Sequence, residues 1–294
     1  HLPVLLLTPW VGTTYTFVIF SGYLMVIALI GMGVSESWRR ALRYVWMPLL
    51  LAVFVVLWAN QSTKNSAGQI YETESAYNYI QVLEQDGITM LRLNEGQGVH
   101  SMYSPDHLVF LGPWMQFLAG PFFNAPPYDV ADVQRMAIIG LAAGTTARQA
   151  TAAFGPIPID GWEIDERIIQ VGRDYFDMTE PNLNAIAQDG RWGIAHSDGQ
   201  YDLVAIDAYR PPYIPWHLTT VEFFEEVRAQ LSDDGVVVIN VGRAPDDRSL
   251  IDAMVATLSE VFPSVHVMDI PYTFNSMVYA TRQPTSWDNL AINY

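Results

Sequence analysis

The stretch Met136–Asp165, MAIIGLAAGTTARQATAAFGPIPIDGWEID, restricts the architecture of this chain more than any other. The apolar run Met136–Ile139 predicts a buried strand, Gly140-Leu-Ala-Ala-Gly144 a tight loop, and Thr145–Phe154 a helix. A second strand over Pro156–Ile164 ends in the acids Glu163 and Asp165. Strand, glycine loop, helix, strand and carboxylate make up the opening unit of a nucleotide-binding βαβ fold. In such a unit the glycines let backbone N–H groups approach a ligand at the helix N-terminus, and the strand-end acid accepts a ribose hydroxyl pair. Gly140, Gly144 and Glu163 are therefore candidate binding residues.

Downstream the pattern keeps alternating. Glu166–Phe176 reads as a helix, Leu183–Ala187 as a strand, and Tyr201–Ile206 as a buried strand ending at Asp207. Thr219–Leu231 suits a helix capped by Thr219 or Thr220, Val236–Val241 another buried strand, and Ser249–Val261 a further helix. Val265–Ile270 and Ser276–Thr281 are close enough to pair antiparallel. Alternation of this kind predicts a mostly parallel sheet covered on both faces, with the ligand at the carboxyl ends of the strands. Gly140–Gly144, Glu163, Asp189 and Asp207 all fall there. Upstream, Tyr77–Glu84 and Ile88–Asn94 flank an Asp86-Gly87 turn, a hairpin signal, and Val99–Tyr103 adds a strand.

The N-terminal part is different in kind. Residues 2–34 carry no charge, and neither do residues 44–59. Each run is about long enough to cross a bilayer, and Tyr15, Tyr23, Trp38, Tyr44, Trp46 and Trp58 rim them. Arg39, Arg40 and Arg43 lie between the runs, so the positive-inside rule sets that connection in the cytoplasm and the large domain outside it. The expected organisation is two transmembrane helices over 1–60, a linker over 61–76, a small β unit with a connecting segment over 77–128, and a Rossmann-like domain over 129–294.

Composition narrows the partners. The chain has no cysteine, which removes thiol nucleophiles and Cys-ligated metal. Six scattered histidines without an HExxH pattern argue against a metal site. Net charge is −16, and the only charges before residue 70 are Glu36 against three arginines and Lys64, so the large domain carries the acidity. Such a surface repels phosphate backbones, so nucleic acid is not an expected partner. Membrane lipid is, and a homo-oligomer or other membrane subunits are compatible with the aromatic-rich segment Trp114–Tyr128.

Tyr79–Val82 before the hairpin, the loop Ile139–Thr146, Glu163-Ile-Asp165, Gln188-Asp189-Gly190, and Tyr201–Asp207 followed by Leu218–Phe223 resemble the spermidine synthase family over roughly residues 75–285. Pro9-Trp-Val-Gly-Thr-Thr, with arginines after the span, is similar to the membrane-fused branch of that family. The resemblance implies a methyltransferase-like Rossmann domain with a small N-terminal β unit. It also implies an adenosyl ligand, namely S-adenosylmethionine, its decarboxylated form or methylthioadenosine. Carried over, Glu163 holds the ribose, Asp189 and Gly190 meet the adenine, and Gly140 and Gly144 line the loop beneath the nucleoside.

The departures bear on activity. The family's loop aspartate, which grips the ligand's amino group, is Ala143 here. The catalytic Asp-x-x-Asp-Pro stretch reads Asp207-Ala-Tyr-Arg210-Pro211, and an arginine cannot take a proton at neutral pH. Phe110-Leu-Gly-Pro-Trp114 stands near the place of the Tyr-His-Glu run that lines the diamine pocket. Asp207 is the remaining acid for a reaction centre, and His217 lies near the expected ligand edge. Two readings follow: a membrane-anchored transferase with a changed acceptor, or a catalytically inactive scaffold or assembly subunit of a membrane complex.

Overall fold

A computed structural model describes residues 2–58, 64, 66–94, 98–209 and 214–294. In chain order its elements are α1 (Leu2–Ser35), α2 (Trp38–Ala41), α3 (Trp46–Trp58), β1 (Gln69–Glu74), β2 (Tyr79–Gln85), β3 (Ile88–Leu93) and β4 (Val99–Tyr103). They continue with β5 (Met136–Ile139), α4 (Thr145–Phe154), β6 (Ile159–Glu163), α5 (Glu166–Tyr175), β7 (Leu183–Ala187) and α6 (Gly190–Ala195). The last are β8 (Tyr201–Ile206), α7 (Val221–Gln230), β9 (Leu231–Gly242), α8 (Ser249–Ser259), β10 (Ser264–Asp269), β11 (Asn275–Thr281) and α9 (Trp287–Asn293). Strands β1 to β4 form one sheet in sequence order.

Two compact units divide the chain. The first, residues 1–85 and 92–98, holds the apolar helices. Helix α1 breaks at Gly12, whose backbone (φ 75°, ψ 169°) is not helical. Glu74 caps the resumed helix by accepting the Thr13 N–H at 2.5 Å, because a helix start leaves its first N–H groups without partners. Tyr15–Ser35 then runs for 21 residues, long and apolar enough to cross a membrane. It is the one such helix among the described residues; α3 is 13 residues, so the expected second span is not matched by a helix of that length. A Cβ on Gly33 would fall 2.6 Å from the Trp38 ring, and this close approach lets the chain turn from α1 into α2. The sheet also starts one strand earlier than residue 77: β1 pairs antiparallel with β2 inside the stretch read as linker.

The second unit, residues 86–91 and 99–294, is built on a seven-stranded sheet of order β10-β11-β9-β8-β5-β6-β7. Strands β5 to β9 are parallel, and the β10–β11 hairpin joins β9 antiparallel. Every residue of β5 and β8 is buried, as expected for strands covered on both faces. One face packs Trp162, Phe223, Phe224 and Met254; the other packs Phe117, Phe123, Met277 and Tyr279. The aromatic segment Trp114–Phe123 lies flat on the second face as a 3₁₀ helix, since a Cβ on Gly120 would sit 2.7 Å from Val238. From β5 the chain moves outward through β6 and β7, then returns to the other side of β5 with β8 and β9. The order reverses between β5 and β8, and an open α/β sheet forms its ligand crevice at such a switch point.

Candidate functional site

The glycine loop closes directly over that switch point. Gly140 takes φ +88°, and a Cβ there would meet the Asp207 carbonyl oxygen at 2.6 Å. No L side chain fits either the backbone or the space, so this glycine brings the β5 and β8 ends together. The Gly140 and Leu141 N–H groups both donate to the Trp162 carbonyl, at 2.9 and 3.0 Å. Gly144, at φ +87°, opens α4 against the Met178 side chain. Strand β4 supports the loop from one side. Ser101 Oγ accepts the Ala143 N–H at 3.0 Å, and Thr145 Oγ1 bonds both the N–H and the carbonyl of Met102 at 2.9 Å.

Glu163 ends β6 beside this loop and is 8% exposed. Its Oε2 accepts the Ala142 N–H at 3.0 Å and its Oε1 the Asp165 N–H at 3.1 Å. Burial pushes the carboxyl up to about 7, against the opposing pull of those donors. Asp165 caps α5 by accepting the Arg167 N–H at 3.1 Å. The two acids of the pair thus divide their tasks, one facing the loop and one starting a helix.

Asp189 is the N-cap of α6. Its Oδ1 accepts the N–H groups of Arg191 (3.0 Å) and Trp192 (3.1 Å). His217 Nε2 lies 3.1 Å from Oδ2, so His217 serves the Asp189 end of the site. Gly190 follows where a Cβ would strike Ile139 at 2.4 Å, which lets α6 begin against the end of β5.

At the end of β8, the Asp207 N–H donates to the Ile139 carbonyl at 2.8 Å. Asn240 Nδ2 donates to Asp207 Oδ1 at 2.8 Å, and burial pushes this carboxyl up to about 6 against that hydrogen bond. Asn240 itself is buried on β9, with no hydrogen-bond partner on Oδ1. Tyr209 turns back onto β9, donating its hydroxyl to the Asn240 carbonyl at 3.1 Å and accepting the Gly242 N–H. Trp192 stacks on His196 with ring centroids 4.0 Å apart. Arg210 lies outside the described residues.

Gly140, Gly144, Glu163, Asp189, Gly190 and Asp207 therefore all sit at or beside the carboxyl ends of adjacent parallel strands. Asn240 and Ser101 were not anticipated. Asn240 had a signal, one amide inside the apolar run Val236–Val241; Ser101 had none, because its role is fixed only by contact with a loop 42 residues away.

The geometry has known counterparts. A probable spermidine synthase from Corynebacterium glutamicum superposes with a TM-score of 0.64 at 20% identity, covering 76% of this chain and 82% of that one. A spermidine synthase in complex with the transition state analogue AdoDATO gives 0.62 at 20% identity, covering 75% and 76%. Both likenesses establish the fold. In sequence, a probable polyamine aminopropyl transferase of Bifidobacterium longum is 32% identical over 219 residues, 72% of this chain. The chain spans 47% of that relative's length. The spermine/spermidine synthase domain model matches residues 128–288, which contain every candidate site residue named above except Ser101. With the glycine loop, the strand-end acids and the β8 aspartate in that domain's framework, the chain belongs to the spermine/spermidine synthase family.

Proposed function

We propose that this chain is a membrane-anchored, spermidine-synthase-like transferase that binds an adenosyl sulfonium donor and passes a group to an altered acceptor. The observation that carries the reading is Glu163. A carboxylate buried against a glycine loop is costly unless something repays it, and the backbone N–H groups of Asp165, Ala142 and Ile164 leave part of its acceptor capacity open. A ribose hydroxyl donates into that remaining capacity. Asp189 at the neighbouring strand end suits the amino edge of an adenine. The structural counterpart bound to AdoDATO, an analogue related to decarboxylated S-adenosylmethionine, supports the same ligand class.

Transfer requires an acceptor lone pair to attack the carbon next to the sulfonium. The C–S bond breaks with its electron pair moving to sulfur, leaving methylthioadenosine, and the acceptor loses a proton. Asp207 is the base: a carboxyl held near 6 is deprotonated at neutral pH yet more basic than an ordinary aspartate. Three residues on, Arg210 stands at the position of the family's second aspartate and favours an anionic or neutral acceptor over a diamine. The 21-residue apolar segment Tyr15–Ser35 supports anchoring. On the charge bias, a second span over 44–59 returns the chain and leaves the large domain outside the cytoplasm, beside lipid and other copies or subunits.

A second reading, an inactive scaffold of a membrane complex, is favoured by Ala143. It is fully buried, and its N–H is spent on Ser101, so it offers no charge to a donor's amino group. The deciding experiment incubates the full chain with decarboxylated S-adenosylmethionine and a panel of cationic, neutral and anionic acceptors, and follows methylthioadenosine. Acceptor-dependent release that Asp207→Asn abolishes supports the transferase; ligand binding with no release for any acceptor supports the scaffold.

A further inference from the structure

Asp189 is engaged on both oxygens. Two backbone N–H groups occupy Oδ1, and His217 Nε2 lies 3.1 Å from Oδ2. An ionised carboxylate accepts at about four lone-pair sites and donates nothing. The His217 ring must then carry its hydrogen on Nε2, and one acceptor site remains, on Oδ2. Both side chains stay partly open, His217 at 31% and Asp189 at 38%.

The histidine is itself held in register with the acid. It lies in the 3₁₀ turn Trp216–Leu218, whose last residue is buried in the core. Arg191, two residues after Asp189, donates Nη1 to the His217 carbonyl at 2.9 Å. The same guanidinium grips Glu226 on α7 through Nε (2.8 Å) and Nη2 (2.7 Å). One short helix therefore positions both the acid and the residue that occupies one side of it.

We propose that His217 is a positioning residue that sets the base specificity of the adenosyl site. By holding Oδ2 it fixes the Asp189 carboxylate with a single outward acceptor. That acceptor takes one N–H of a 6-amino purine and repels the carbonyl of a 6-oxo purine. The proposal deepens the adenosyl reading above and rests on it.

The test is calorimetric titration of the full chain with methylthioadenosine and with its 6-oxo counterpart, methylthioinosine. A hydrogen bond to a charged acceptor corresponds to roughly 10- to 100-fold, so wild type should prefer the amino base by at least about tenfold. His217→Ala should shrink that preference to within about threefold, chiefly by weakening methylthioadenosine, and His217→Gln, which keeps an N–H donor, should restore most of it. In an Asp189→Asn background, His217→Ala should change nothing further. Wild type that discriminates, with an unchanged preference in His217→Ala or an equal loss for both ligands, overturns this inference alone. Wild type that binds neither ligand overturns the adenosyl reading and this inference with it.

Discussion

If Glu163 holds the ribose as proposed, ligand binding becomes a function of pH. In the folded chain its carboxyl titrates at about 7, against 4.5 for an unburied glutamate. In the proposed complex ribose hydroxyls donate to the carboxylate, whereas the protonated acid has one acceptor fewer and a competing O–H. Below pH 7 the ligand must displace a proton, so affinity should approach a fall of about tenfold per pH unit, roughly 15-fold between pH 7 and 5.5. Calorimetry with methylthioadenosine from pH 5.5 to 8.5, in two buffers of different ionisation enthalpy, should report proton release on binding near pH 6. Glu163→Gln should bind weakly, with an affinity that no longer follows this titration. The same shift marks stability. Between pH 4.5 and 7 the folded chain holds a proton that the unfolded chain has released, so stability declines across that window and levels off above it. The contribution is about 3 kcal/mol, read as the difference in pH dependence between wild type and Glu163→Gln in urea unfolding. A wild-type affinity constant from pH 5.5 to 8.5, with no proton release, would refute the reasoning.

Other perturbations reach neighbouring parts of the site. Gly140→Ala forces an L residue into φ +88° and drives its Cβ to 2.6 Å from the Asp207 carbonyl, so thermal unfolding should show a loss of about 3 kcal/mol or more. Asn240→Ala removes the donor that holds Asp207 ionised; the acid limb of any transfer reaction, near pH 6 in wild type, should move upward, and an unmoved limb would discount the pair. Gly193→Ala should destabilise the domain, because its Cβ would fall 2.2 Å from Trp162 Nε1, and unfolding midpoints report it. The full chain reconstituted with phosphatidylcholine vesicles should float with them and resist carbonate extraction; recovery in the carbonate supernatant would contradict the anchor.

Much of this architecture is legible in the chain because its central strands are buried on both faces. Such strands read as short unbroken apolar runs, and β5 and β8 match their expected bounds, as does the half-exposed edge strand β7. Thr220 caps α7 with its side chain accepting the Phe223 N–H, as the run of threonines suggested. Strand β1 was not legible: QIYETE is polar and mostly half-buried, so it has no alternation to read. Helix α6 escaped because Gly190 and Gly193 weaken helix propensity, yet both are needed where Ile139 and Trp162 leave no room for a Cβ. In the site, glycines and strand-end acids carry local signals. The His217–Asp189 contact joins residues 28 apart through tertiary packing, and no local pattern announces it.

The most direct test of the account is a binding titration of the detergent-solubilised full chain with decarboxylated S-adenosylmethionine and methylthioadenosine, beside Glu163→Ala. The account predicts micromolar binding by wild type that the variant loses while its circular dichroism spectrum stays unchanged. A folded wild-type sample that gives no heat with either ligand would contradict the adenosyl site.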